Sequence, residues 1–379
     1  MKPGAVACFF LLIYPDNFNQ RVACGKPFRR ILIIKMRFHG DMLLTTPVIS
    51  TLKQNYPDAK IDVLLYQNTI PILSENPEIN ALYGISNKGA GTKEQIKNAL
   101  SLIKKLRANQ YDLVVNLTDQ WSVALIVRFL DAKIKISQDF GNRQSALWKK
   151  SFTHLVPYAG DHAVERTLSA LKPLALKRYV TETTMSYRPE HWENMRQQLK
   201  QLGVTRQYVV IQPTARQLFK CWDNDKFSRV IDAVQRRGYQ VVLTSGPATD
   251  EIACVDDIAR GCETIPVTGL AGKTRFPELG ALIDHADLFI GVDSAPGHIA
   301  AAVKTPVICL FGATDHVFWR PWTDDMIQFW AGNYEPMPER HELDRNKKYL
   351  SVIPAEDVIA ATEKMLPHEA RPIDLDSLV

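Results

Sequence analysis

An α/β protein made of two Rossmann-like halves is what the sequence predicts, on three observations. Short apolar runs rich in Val, Ile and Leu alternate with segments of helical period, the pattern of parallel strands covered by helices. The alternation stops in a polar, strand-poor stretch, "KRYVTETTMSYRPE", and then starts again. At 379 residues the chain is also longer than one compact domain of typical size.

The first half opens on Ile31, Leu32, Ile33 and Ile34, a continuous apolar run that reads as a strand buried on both faces. The turn after it, "KMRFHGD", lacks the G-x-G-x-x-G fingerprint that lets a dinucleotide pyrophosphate approach the backbone. It holds instead the cations Lys35, Arg37 and His39 and one acid, Asp41, at the carboxyl end of the strand. "KIDVLLY", "DLVVNL" and "KIKIS" follow as strands and "TKEQIKNALSLIKKLRA" as an amphipathic helix, while "WSVALIVRFL" reads as a buried core helix, with a membrane face as the alternative. The helix "AVERTLSALKPLAL" leads to the polar stretch, so the first domain is expected to span 30–180.

The second half is expected to span 181–353, with strands "QYVVIQP", "YQVVLTSG", "ETIPVTGL", "DLFIGVD" and "TPVICLFG". Helices such as "DKFSRVIDAVQRRG" and "DEIACVDDIARG" separate them. The closing helix "PAEDVIAATEKML" begins 354–379, with Pro354 expected at its first position and Glu356 and Asp357 in the first turn, where the helix dipole favours acids. Two such halves are expected to face each other across a cleft.

The composition, 46% hydrophobic and 23% charged, argues against a disordered or fibrous chain. A net charge of +5 suits an acidic substrate or an anionic membrane surface. The dense basic runs of a nucleic-acid binder are missing. Six cysteines without a C-x-x-C pair fit a reducing compartment. Residues 1–29 are expected to form a dispensable extension, because the apolar run Ala5 to Tyr14 is far shorter than the roughly 20 residues needed to cross a bilayer.

Two segments carry the chemistry. In "FIGVDSAPGHIAAAV" a strand is expected to end at Asp293, with a turn through Ser294 and Gly297 and a helix beginning near His298. Unpaired amides and partial positive charge at a helix N-terminus make an anion site, which Gly297 would let a phosphate approach. In "QPTARQLFKCW" a strand end is followed by Thr214, Arg216 and Lys220, a hydroxyl and two cations suited to a diphosphate. Glu251 is expected in the loop after "VVLTSG". It could accept hydrogen bonds from a ribose or simply favour the start of the next helix. "DND", Asp223 to Asp225, fits a metal-binding D-x-D pattern, but it directly precedes a helix and is expected to cap it.

Taken together, "KMRFHGDMLLTTPVISTLK", "PTARQLFKCW", "LTSGPATDE" and "GVDSAPGHIAAAV" resemble the lipopolysaccharide core heptosyltransferases, glycosyltransferase family 9, and most nearly their branching inner-core members. The resemblance runs from about Arg30 to Leu366. It implies a GT-B fold, ADP-heptose as donor and a lipid-linked inner-core oligosaccharide as acceptor. It also implies work at the cytoplasmic face of the inner membrane as a peripheral protein, with no cofactor, no metal and no nucleic acid. Asp41 matches the family's catalytic base and Lys220 its phosphate-binding lysine. Asp293, Ser294, Gly297 and His298 match the nucleotide-sugar motif, with Thr214 and Glu251 beside it as donor contacts. Lys35, Arg37, His39 and Arg143 would bind an acidic acceptor, extended by Lys149 and Lys150. A transferase using another nucleotide sugar, a nicotinamide-dependent oxidoreductase and a glycan-binding protein without activity are the rivals. The missing G-x-G-x-x-G counts against the oxidoreductase.

Overall fold

The computed structural model describes residues 27–86 and 92–377, and most of the expected extension lies outside them. In chain order its elements are β1 (Arg30–Ile34), α1 (His39–Leu43), α2 (Thr46–Asn55), β2 (Lys60–Tyr66), β3 (Ala81–Ile85), α3 (Thr92–Ala108), β4 (Leu113–Asn116), α4 (Trp121–Arg128), β5 (Ile134–Gln138), α5 (Ala146–Lys149), β6 (His154–Val156) and α6 (Ala163–Ser169). Then come α7 (Pro189–Gln201), β7 (Tyr208–Gln212), α8 (Asn224–Arg236), β8 (Gln240–Leu243), α9 (Thr249–Arg260), α10 (Phe276–Asp284), β9 (Leu288–Val292), α11 (Ala295–Ala302), β10 (Val307–Phe311), β11 (Met326–Trp330) and α12 (Ala355–Met365).

The chain divides into two compact units at Glu182/Thr183. Two short segments of the first half, His39–Leu44 and Pro71–Asn76, belong to unit 2, so α1 and its Asp41 depart from the expected 30–180 boundary. Phe28 is buried against Tyr56, and the Arg29 amide donates to Asp112, so the folded part of unit 1 starts before residue 30.

Unit 1 holds a parallel sheet in the order β3-β2-β1-β4-β5-β6. Ile31 to Ile34 are fully buried, as a central strand covered on both faces requires. One face of the sheet, with Leu32, Ile34 and Val114, packs with Leu106 of α3, Val123 and Val127 of α4 and Trp148 of α5. Burying each such side chain is worth about 1.5–3 kcal/mol. Because β1 lies between β2 and β4, the winding reverses at the β1/β4 junction. A crevice at the carboxyl ends of the strands opens at such a reversal.

Unit 2 holds a second parallel sheet in the order β11-β10-β9-β7-β8, with its reversal between β7 and β9. Val209, Ile211 and Ile290 pack with Phe227, Val230 and Val234 of α8 and with Val358 and Ala361 of α12, so the C-terminal helix is part of this core.

Three local expectations need correction. "ETIPVTGL" forms no strand, only a single bridge from Val267 to Val242, because Pro266 and Gly269 flank that residue. Pro354 is the N-cap of α12 rather than its first residue, with extended backbone at φ −68°, ψ 143°. α11 starts at Ala295 rather than near His298, because Pro296 fits a first helical turn, where its missing N–H costs no bond.

Candidate active site

The carboxyl ends of β7 and β9 bring together the two chemistry-bearing segments of unit 2. Lys220 lies in a 3₁₀ turn, Leu218–Lys220, shortly after β7, and Asp293 directly follows β9. Lys220 Nζ donates to Asp293 Oδ2 at 2.7 Å, so the ion pair bridges the two strands at the reversal of the sheet. Thr314, beyond β10, donates to the same Asp293 oxygen at 2.8 Å. Asp293 is therefore a hub that orients a partly exposed ammonium at the strand ends. No motif in the sequence marked Thr314.

Ser294 is the N-cap residue of α11, but its hydroxyl donates back to the Val292 carbonyl and does not cap the helix. At Gly297 an added Cβ would meet Pro321 Cγ at 3.5 Å and Cys309 Sγ at 3.9 Å, ordinary contact distances, so a side chain there would lie against packed protein.

Thr214 and Glu251 form one buried unit. Glu251 Oε2 accepts from Thr214 Oγ1 at 2.8 Å and from the Gly246 amide at 2.9 Å. Gln212 links the pair to Thr244, donating to Thr214 Oγ1 at 3.0 Å and accepting from Thr244 Oγ1 at 2.7 Å. Glu251 sits in the first turn of α9, not in a loop, and the Thr214 hydroxyl proton is directed at it. A Cβ at Gly246 would lie 2.6 Å from Glu251 Oε1, so glycine there makes room for the carboxylate.

His298, in α11, is buried, and its Nδ1 has no hydrogen-bond partner. Burial lowers its pKa, with Lys220 acting the same way and the charges of Asp293 and Asp41 opposing, so the ring is neutral near pH 7. α1 lies against this ring. A Cβ on Gly40 would come within 2.7 Å of His298 Cδ2, so glycine lets the helix carrying Asp41 approach closely. His39 packs on Phe276 with ring centroids 4.5 Å apart.

Unit 1 gathers a separate polar cluster at the carboxyl ends of β1, β4 and β5, around its own reversal point. Arg37 Nη2 pairs with Asp119 Oδ1 at 2.9 Å, Asn142 donates to Oδ2 at 3.1 Å, and Arg143 Nε donates to the Asp119 carbonyl. Burial raises the Asp119 pKa, but the Asn142 hydrogen bond and the Arg37 and Arg143 charges outweigh it and hold the carboxyl below its ordinary value. Tyr158, desolvated near that charge, is pushed up to about 12. Of the four expected acceptor cations, the structure brings together Arg37 and Arg143. Lys35 is half-buried just after β1, and His39 belongs to unit 2. Asp119 escaped the sequence reading, since an isolated acid in "NLTDQW" carries no pattern.

Asp223 occupies the N-cap position of α8 but makes no side-chain cap. It accepts from Ser351 Oγ at 2.6 Å and pairs with Lys226 at 3.3 Å, which satisfies the carboxylate and removes the reason to cap. Among the described residues no group of three or more His, Cys, Asp or Glu is placed to hold a metal ion. Nor is any helix among them long and apolar enough to cross a membrane.

Comparison with known proteins agrees with this architecture. The chain is 78% identical over 339 residues to lipopolysaccharide heptosyltransferase 3 of Escherichia coli K12, covering 89% of this chain and 98% of that one. Its fold matches the glycosyltransferase family 9 structure from Veillonella parvula DSM 2008, with a TM-score of 0.77 at 22% identity over 90% of this chain and 98% of that one. It also matches E. coli ADP-heptose LPS heptosyltransferase II, with a TM-score of 0.70 at 19% identity over 89% and 98%. These likenesses identify the two units as a GT-B fold. With residues 99–350 matching glycosyltransferase family 9 (heptosyltransferase), the chain belongs to that family and is a glycosyltransferase.

Proposed function

We propose that the protein transfers heptose from ADP-heptose to the inner core of lipopolysaccharide with inversion at the anomeric carbon. The observation that carries this reading is the Lys220–Asp293 pair at the strand reversal of unit 2, in a chain so similar to lipopolysaccharide heptosyltransferase 3. Open α/β sheets bind ligands at that position.

Asp41 takes the proton of the acceptor hydroxyl as its oxygen attacks the anomeric carbon. The carbon–phosphate oxygen bond breaks and ADP leaves. Lys220 meets the charge developing on the diphosphate, assisted by the first-turn amides of α11. Asp293 and Thr314 hold Lys220 in reach before the donor arrives. Thr214 and Glu251 shape the nucleoside side of the site as a pair. The acidic inner core is assigned to Arg37 and Arg143, with Asp119 fixing their geometry. A lipid-linked acceptor together with a nucleotide-sugar donor supports work at the cytoplasmic face of the inner membrane.

Mass spectrometry of a transfer reaction with ADP-heptose and a series of truncated core acceptors tests the reading. The expected result is the gain of one heptose on an inner-core acceptor. No gain with ADP-heptose, or transfer from a UDP- or GDP-sugar instead, would overturn it.

A further inference from the structure

α4 is apolar on more than one side. Val123, Ala124, Ile126 and Val127 face the core, yet Trp121, Leu125 and Phe129 lie outside it at four-residue spacing, Leu125 47% and Phe129 55% exposed. A helix apolar all round is ordinarily buried, and residues four apart share one stripe. α3 repeats the arrangement, with Ile96 and Leu100 at the same spacing, and Leu100 is 61% exposed. On α5, Leu147 is exposed while the neighbouring Trp148 is buried.

These helices cover the same face of the six-stranded sheet. Leu102, Ile103 and Leu106 of α3, the inner residues of α4 and Trp148 of α5 all pack into one core cluster. Their outward stripes therefore project from a single layer of unit 1. Single exposed apolar residues need no explanation, but six large ones on one layer do.

The charges around them are predominantly positive, the acids being Glu94 near the start of α3 and Asp131 after α4. Exposed cations Lys97, Lys104, Lys105, Arg128, Lys149 and Lys150 lie among the apolar side chains, and residues 96–108, 121–129 and 146–150 contain no acid. Arg107 is paired with Asp131 at the rim, at 2.9 Å. Aromatic and branched apolar side chains interleaved with Lys and Arg are the chemistry of a surface that sits in the headgroup region of an anionic bilayer. The predominance of Lys and Arg among the apolar side chains complements anionic headgroups and favours a bilayer as the occupant.

We propose that the outward faces of α3, α4 and α5 form the surface by which unit 1 lies on an anionic lipid bilayer. The inference deepens the reading of the protein as an enzyme with a lipid-linked acceptor, by naming the surface that meets the lipid. Insertion is shallow, through Trp121, Leu125 and Phe129, and the cations hold the layer to the headgroups.

Co-sedimentation of the full chain with phosphatidylcholine vesicles, with and without about one third phosphatidylglycerol, tests the proposal. The wild type is expected on the anionic vesicles, released by raised salt, and not on the neutral ones. The Trp121→Ser/Leu125→Ser/Phe129→Ser variant should lose at least about tenfold in partition, and Lys104→Glu/Lys105→Glu a similar amount. Both should keep wild-type turnover on a water-soluble core oligosaccharide. Thermal melts check folding. Should the triple variant fail to fold, the Lys104/Lys105 variant carries the test, because both positions are exposed. A wild type that stays in solution, or variants that bind as it does, would overturn the proposal. So would self-association that the triple variant abolishes without any vesicle binding, which would assign the face to a second copy. Absence of turnover by the wild type on the soluble acceptor would instead count against the enzymatic reading and leave the vesicle result standing.

Discussion

In the proposed mechanism Asp41 and Lys220 divide the chemistry between a proton and a charge. An Asp41→Asn variant keeps the size of the side chain and removes the base. General-base catalysis contributes about 10² to 10⁴ in rate, so turnover should fall by that factor while ADP, titrated calorimetrically, still binds. More than half of wild-type turnover would remove Asp41 from the mechanism. His298 makes a different prediction, through stability. Its folded pKa is depressed by burial, whereas the unfolded chain titrates near the ordinary value of about 6.5. Below that pH the unfolded state binds a proton the folded state does not, so stability falls as the pH drops from about 6.5 toward the folded value. His154 and His316 are shifted in the same direction, also by burial. The informative comparison is therefore His298→Gln against wild type. Its melting temperature should fall less between pH 7 and pH 5. An unchanged pH slope would mean that His298 is not the group responsible.

Helix α1 shows how one glycine governs an element. The His298 ring fills the space where a Gly40 side chain would stand, 2.7 Å from the Cβ position, too close for any real contact. Gly40→Ala must push α1 or the buried ring aside, an overpacking cost of about 1–3 kcal/mol. Because α1 carries Asp41, and misplacement of a reacting group by about 1 Å can cost 10² in rate, turnover should fall at least about tenfold with the fold intact by circular dichroism. Wild-type turnover would show that the position of α1 does not matter. The same scale explains what could be read in the sequence. Central strands β1, β4, β7, β9 and β10 were legible because burial on both faces demands continuous apolar runs. The strands that escaped, β3, β6 and β11, all lie at sheet edges and are largely half-buried, and runs of three to five residues are too short to show a strand period. At the site, Lys220, Asp293 and Asp41 stood in recognisable turns after strands. Asp119 and Thr314 act through partners far away in sequence, and no local pattern announces such residues.

For the whole molecule, two parallel sheets that each reverse once supply two crevices, and the polar clusters lie at those reversals. The repeat of strand and helix made this architecture legible. The transfer of His39–Leu44 to unit 2 was not, because a segment's tertiary partner is invisible in its local pattern. If Lys220 and the start of α11 take the charge of the departing diphosphate, added chelator should change the transfer rate by no more than about twofold. Loss of activity restored by Mg²⁺ or Mn²⁺ would assign that charge to a metal.

The central claim is that unit 2 holds the donor diphosphate through Lys220, and the kinetic constants of Lys220→Ala for both substrates test it most directly. A charge-assisted hydrogen bond contributes roughly 1.5–3 kcal/mol, or about ten- to a hundredfold. If the ammonium matters most as ADP departs, kcat falls by that factor beyond any rise in the donor KM. The acceptor KM should stay within about twofold, because the acceptor is assigned to Arg37 and Arg143 of unit 1. A selective rise in the acceptor KM, with donor kinetics unchanged, would contradict the account.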